Sequence, residues 1–185
     1  MLKTAFFAIA FCAAVPRIAV ADDKLYSVAP DKSFVKYTLV HKAHTFVGTA
    51  DKGIEGKVKL SGTTAQLMVR IPVANFDSGN NNRDSNMRDT VEATKFPNVE
   101  LKAVAEGVTP QDGQKTKHTL KGKLTFHGVT NNVEVPVDVT WNGKSAKVTG
   151  KFSISLEAYK IDRPSLLFVK VEDKLDLDVD LTITE

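Results

Sequence analysis

Residues 133–141 run Val133-Glu134-Val135-Pro136-Val137-Asp138-Val139-Thr140-Trp141. Valine or tryptophan holds every second place, and Glu134, Pro136, Asp138 and Thr140 hold the others. A period of two marks a β-strand with one face buried and the other in water. Pro136 has no N–H to give to a ladder, so the strand is expected to lie at an edge or to bulge there.

The same alternation spreads outward in both directions. Downstream, Asn142-Gly143 is a two-residue hairpin signal, and Ala146, Val148, Gly150, Phe152 and Ile154 follow it on one face. Near the C-terminus Leu175, Leu177, Val179 and Leu181 alternate with Asp176, Asp178, Asp180 and Thr182. Upstream, Leu120, Gly122, Leu124 and Phe126 alternate with Lys121, Lys123 and Thr125. Four more rows precede them: Val99 to Ala105, Ala65 to Ile71, Ile54 to Leu60, and Val35, Tyr37, Leu39 and His41. Eight strands result. Ser61-Gly62, Asp112-Gly113 and His127-Gly128 supply turns between them. No sustained helical face is present. Asp84–Arg88 and Val91–Ala93 are expected to form short helical turns, with Asp84 and Arg88 spaced for an i, i+4 ion pair. Residues 72–97 and 157–172 are the long connections.

The chain has 185 residues, 42% of them hydrophobic and 25% charged, which suits one globular domain. Its start differs from the rest. Met1-Leu2-Lys3 precedes an uncharged apolar run, Thr4 to Val15, and Ala19-Val20-Ala21 precedes Asp22-Asp23. This is the pattern of a secretory signal peptide over residues 1–21, with the folded domain over 22–185 and a periplasmic or secreted destination. The apolar run is too short for a membrane span. The formal charge is +3; loss of Lys3 and Arg17 with the leader leaves 23 basic residues against 22 acidic, a net of +1. A nucleic-acid partner would need a strongly basic face, and none is indicated. The single cysteine, Cys12, also lies in the leader, behind a Phe11 too bulky for lipoprotein processing. The processed chain then has neither disulfide nor thiol chemistry.

Antiparallel strands with one apolar row each pack as a sandwich or curl into a closed barrel. Eight strands is a size at which a barrel can hold one ligand. Ala65, Ala103, Ala105, Gly122, Ala146 and Gly150 are small inward residues that would leave volume along a barrel axis, unless Phe126, Trp141 and Phe152 fill it.

Candidate chemistry is sparse. His41, His44 and His127 could form a metal site, but on a strand residues three apart point to opposite faces. The alternative for His41 is a polar residue at the barrel mouth bonded to a loop. The polar stretch from Phe76 to Arg88 orders its own loop or offers Arg83 or Arg88 to an anionic head group. No Gly-x-Ser-x-Gly and no glycine-rich phosphate loop is present. Ala158 to Pro164 gathers Tyr159, Lys160, Asp162 and Arg163 in one connection, expected to dock over a barrel end. No catalytic residue is assigned.

Four stretches carry a family resemblance: Phe34–His41 with Gly48 beyond it, Asn82-x-Asp84-x-x-Met87-Arg88, Thr94-Lys95-Phe96-Pro97-x-Val99-x-Leu101, and Gly122-x-Leu124-Thr125-x-His127-Gly128-Val129-Thr130. In these the chain resembles the YceI-like family of secreted bacterial proteins. The resemblance implies an all-β, eight-stranded antiparallel lipocalin-like barrel with short helical turns in the long connections. It further implies a binding or carrier protein, not an enzyme, with an isoprenoid-chain lipid, quinone-like or prenyl phosphate, inside. No cofactor beyond that lipid is implied. Further partners compatible with it are transient contact with a membrane surface and a second copy of the chain in a homodimer. Around His41–Thr49 the chain departs from the commoner members, with His44 in the loop, and this keeps a metal-binding or metal-dependent alternative open. The candidate wall comprises Val35, Tyr37, Leu39, Leu67, Val69 and Leu101 from the first half of the chain. Phe126, Val135, Val137, Phe152, Ile154 and Leu177 complete it. His41, Arg83 and Arg88 are the candidates for the polar end.

Overall fold

The computed structural model describes residues 23–166 and 168–185; the expected leader and Cys12 lie outside the described residues. Twelve strands and one α-helix follow in chain order. They are β1 (Lys24–Val28), β2 (Phe34–Val40), β3 (Thr45–Ala50), β4 (Glu55–Ser61), β5 (Thr64–Pro72), α1 (Asn81–Thr90) and β6 (Asn98–Ala105). Then come β7 (Lys115–Phe126), β8 (Val129–Asn142), β9 (Ser145–Ser155), β10 (Ser165–Leu166), β11 (Val169–Lys170) and β12 (Lys174–Thr184).

Eight of these strands close a barrel. β1, β4, β5, β6, β7, β8, β9 and β12 are hydrogen-bonded in that order, and β1 pairs back onto β12. Every pairing around the ring is antiparallel. β2 continues along the edge of β12 that β1 leaves, Val179 facing Val35 and Leu175 facing Leu39, and β3 pairs with β2. The first two strand positions are therefore each built from two pieces, β1 with β2 and β3 with β4. The expected barrel and its antiparallel order are present.

The alternation sorts the side chains as physical chemistry requires. Val135, Val137, Val139 and Trp141 of β8 are buried, while Glu134 and Pro136 between them are exposed. Pro136 sits where one ladder ends: it faces Thr119 of β7, but pairing with β9 begins only at Val137. Outside the barrel Asp178 meets Lys36 and Lys151, and Asp180 meets Lys147, across neighbouring strands, while Asp176 meets Lys174 on its own strand. Such exposed pairs contribute under ~1 kcal/mol each and mainly keep the outer wall wet.

One end of the barrel is solid. Tyr26 packs edge-on to Trp141, with ring centres 5.4 Å apart, among Leu60, Ala65, Ala105, Ala146 and Ile183. The small residues belong here or to strand crossings and do not line open volume. At Gly122 a side chain would collide with the Lys102 carbonyl and Ala103, so the missing Cβ lets β6 and β7 approach. The expectation that small inward residues hollow the barrel is thus corrected: they let it pack at the floor and seams.

The other end is covered by irregular chain. α1 is one ten-residue helix where only short turns were expected. Asn80 caps it, its Oδ1 accepting from Arg83 N–H at 3.0 Å. Asp84 does not pair with Arg88. Its carboxylate is buried and accepts from the backbone N–H and the hydroxyl of Ser78. Just before the helix, Asp77 exchanges backbone hydrogen bonds of 2.8 and 3.0 Å with Thr49 of β3, so α1 closes the side of the barrel beyond β3. The connection after β9 docks over the same end through buried Tyr159, Ile161 and Val171.

Two quoted motif stretches meet outside this end. Phe96 packs edge-on to His127, with centres 5.1 Å apart. The His127 ring is hydrogen-bonded to the Tyr159 carbonyl and to Glu92, 3.0 Å each. They tie the exit of α1, the β7–β8 turn and the docked connection together; their work is architectural.

Candidate functional site

A cavity of about 820 Å³ runs inside the barrel. It touches every inward residue of β12, Leu175, Leu177, Val179, Leu181 and Ile183. At about 3.4 Å per residue that row is roughly 27 Å long. The middle of the row explains the hollow. Leu175, Leu181 and Ile183 are buried against the ends, but Leu177 and Val179 remain partly exposed although they point inward. Leu67, Leu101 and Phe152 are inward and half-buried in the same way. Their side chains reach toward the axis without meeting.

The wall residues expected from the alternation fall into place by strand. Val35, Tyr37 and Leu39 of β2 face the cavity, as do Leu67 and Val69 of β5 and Leu101 of β6. Phe126 of β7, Val135 and Val137 of β8, Phe152 and Ile154 of β9 and Leu177 of β12 do likewise. Tyr37 stands across Gly48, where a side chain would strike its ring, and beside Phe76. Burial pushes the Tyr37 phenol above its usual range; the charge of Asp84 raises it further and that of Arg83 opposes this. The phenol is therefore a neutral hydroxyl within the wall.

The polar end separates the remaining candidates. Arg83 lies on the cavity, its guanidinium 5.7 Å from the Phe46 ring centre. Among the described residues no carboxylate comes within ion-pair distance of it. Asn80 at the cap and Asn86 and Thr90 of the helix join it, and His44 from the β2–β3 turn. Arg88 does not reach the cavity. Residues 83, 86, 87 and 90 form one helical face, and position 88 lies off it.

His41 also turns away. It is 5% exposed; its Nδ1 accepts from Ala43 N–H at 3.2 Å and its Nε2 donates to the Val169 carbonyl at 3.1 Å. Its ring thereby pins the β2–β3 turn to the β10–β11 hairpin, so it is a mouth residue bonded to a loop and not part of the wall. His44 stacks 6.5 Å from it, while His127 is held at Glu92 and Tyr159. Among the described residues no three ligating groups gather at one point.

Several wall residues lie outside any apolar row that the sequence shows. Asn80, Asn86, Met87 and Thr90 sit on a helix with almost no apolar stripe, and Phe46 on a short strand. Pro164, Ser165 and Val171 arrive from the docked connection. Met87 lay in a quoted motif, Asn80 and Asn86 in the polar stretch from Phe76 to Arg88, and Pro164 at the end of the connection from Ala158.

A closed antiparallel barrel with an apolar axial cavity and a polar mouth defines a lipocalin-like barrel. Within that class, residues 26–183 match the YceI-like domain, and the chain belongs to the YceI-like family. Among proteins of curated function none matches the chain. The fold is similar to Burkholderia cenocepacia BcnA, with 24% identity, a TM-score of 0.70, and 84% of this chain and 98% of that one covered. It is similar to a polyisoprenoid binding domain from Saccharophagus degradans, with 18% identity, a TM-score of 0.70, and 86% and 97% covered. The Campylobacter jejuni YCEI protein aligns over 100% and 99% of the two chains at 14% identity and a TM-score of 0.53.

Proposed function

We propose that this protein is a binding or carrier protein for an isoprenoid-chain lipid, quinone-like or prenyl phosphate, with its tail along the barrel axis and its head beside Arg83. The leader pattern of residues 1–21 supports a periplasmic or secreted setting for this work. The observation that carries the proposal is the continuity of the apolar wall, from Leu175 at the mouth to Ile183 at the floor. Each CH₂ moved from water to such a wall contributes about 0.8 kcal/mol, so several isoprene units bind without a strong polar contact. The polyisoprenoid binding domain of similar fold supports the same ligand class. A binding protein needs no catalytic group, and none is assigned.

Arg83 gives the test its charge dependence. Geranylgeranyl diphosphate and geranylgeraniol share one tail and differ in head charge. Both are expected to bind. Arg83→Gln is expected to weaken the diphosphate about tenfold, the scale of one charge-assisted hydrogen bond, and to leave the alcohol nearly unchanged. Failure of both ligands to bind would reject the proposal; equal weakening of both would reject the head position.

A further inference from the structure

His127 joins three segments, the exit of α1, the β7–β8 turn and the connection after β9, and the joint is ionic as well as architectural. Its Nδ1 faces the Tyr159 carbonyl and its Nε2 faces the Glu92 carboxylate, 3.0 Å each. Neither partner has a hydrogen to donate. A neutral imidazole has one N–H, so it can make one of these bonds and leaves two acceptors facing each other at the second. Only the doubly protonated, cationic ring satisfies both.

The backbone here is held in an uncommon shape. Of the four non-glycine residues with positive φ among the described residues, three lie at this joint: Glu92 at +46°, His127 at +50° and Lys160, next to Tyr159, at +57°. Backbone of this kind persists where the surrounding contacts over-determine it.

Both segments that His127 holds also line the cavity. α1 and its exit contribute Met87, Thr90 and Val91, and the connection contributes Ile161 and Pro164. They are not held equally. The connection has a further tie to β8, where Asn131 Nδ2–H donates to the Ala158 carbonyl at 2.9 Å. The start of α1 is fixed by the bonds of Asp84 to Ser78 and of Asp77 to Thr49. Its exit is tied to the β7–β8 turn through Glu92, which is half exposed, whereas Tyr159 is buried. With one N–H left, the ring keeps the buried carbonyl, and the carboxylate turns to water. Among the described residues β3 has β2 as its one strand partner, so the wall beyond it is helix and not ladder.

We infer that α1 is a gate in the barrel wall, latched at its exit by cationic His127 and released when His127 loses a proton. What passes the gate rests on the isoprenoid-binding proposal. Below the imidazole range both N–H groups are present and the gate is shut. Above it one bond is gone, and the exit of α1 swings free. The titratable groups around the ring are Glu92 and Lys95 from the α1 exit, with Lys95 Nζ 4.0 Å from Glu92, and the Tyr159 phenol, which burial keeps neutral.

Release of geranylgeraniol from the loaded protein, followed between about pH 5 and 8, tests the inference. This ligand has no titrating head. Release is expected to quicken about tenfold as the pH rises, the scale of one hydrogen bond to a charged group. Its midpoint should coincide with proton loss at His127, read by NMR of the ring nitrogens. In Glu92→Gln the amide donates to a neutral ring and accepts from a charged one, so the latch holds in either state. Release from that variant should be slow and flat with pH. Glu92→Ala has no latch and should release fast throughout. The other histidines remain in both variants, so a pH dependence that survives Glu92→Gln overturns the inference. Native release that does not change with pH, or that changes away from the His127 midpoint, also overturns it. If the native protein does not bind geranylgeraniol, the functional proposal fails, and amide exchange in α1 still decides the latch. Weaker protection in the native protein than in Glu92→Gln at high pH upholds it; equal protection overturns it.

Discussion

Val179 points inward from β12 between Val35 and Gly150, yet it is only half-buried. In a filled core an added ring at such a place would cost about 1–3 kcal/mol through overpacking. Here the ring has a void to enter. Val179→Phe is expected to change the unfolding free energy in urea by less than about 0.5 kcal/mol and to abolish binding of long isoprenoids. A large loss of stability would mean that the middle of the barrel is packed. The same distinction explains why the wall was readable one residue at a time. Leu67, Leu101 and Phe152 were placed inward by the period of two alone. His41 continued that row in the sequence, but its ring is turned aside by two hydrogen bonds that no periodicity encodes.

Elements were legible where an apolar row marked them. β4 through β9 and β12 declare themselves by alternation, as does β2. β1 has five residues and exposes Leu25, and β3 carries His44 just before it and Gly48 within it. Neither gives enough periods to stand out. α1 has no apolar stripe because most of its surface faces water, and its order comes from the Asn80 cap and from Asp84. That buried carboxylate joins the helix to Ser78, and Ser78 follows the Asp77 bridge to β3. Asp84→Ala leaves the Ser78 N–H and hydroxyl without their acceptor. Urea unfolding should report a loss of about 1–3 kcal/mol, and amide exchange should rise first in α1. Unchanged exchange there would show that the helix holds the mouth without Asp84.

At the scale of the whole molecule, the barrel is solid at one end and hollow above it. Tyr26 and Trp141 fill the floor, while the strands higher up hold leucines and valines too far from the axis to touch. The sequence left sandwich and barrel open, because alternation fixes which face of a strand is buried and not whether a sheet closes. Closure rests on the pairing of Ser27 and Val28 with Thr184 and Ile183, distant in the chain and invisible to local pattern. The resemblance to the YceI-like family supplied that step, and the ring of eight strands agrees with it. A hollow interior is the property on which ligand and carrier role both depend. Native mass spectrometry of the protein purified from its own host, followed by organic extraction, tests it most directly. The expected result is one isoprenoid-chain lipid per protein, released on denaturation and absent from Val179→Phe. A mass equal to the bare polypeptide, with no isoprenoid in the extract, would contradict it.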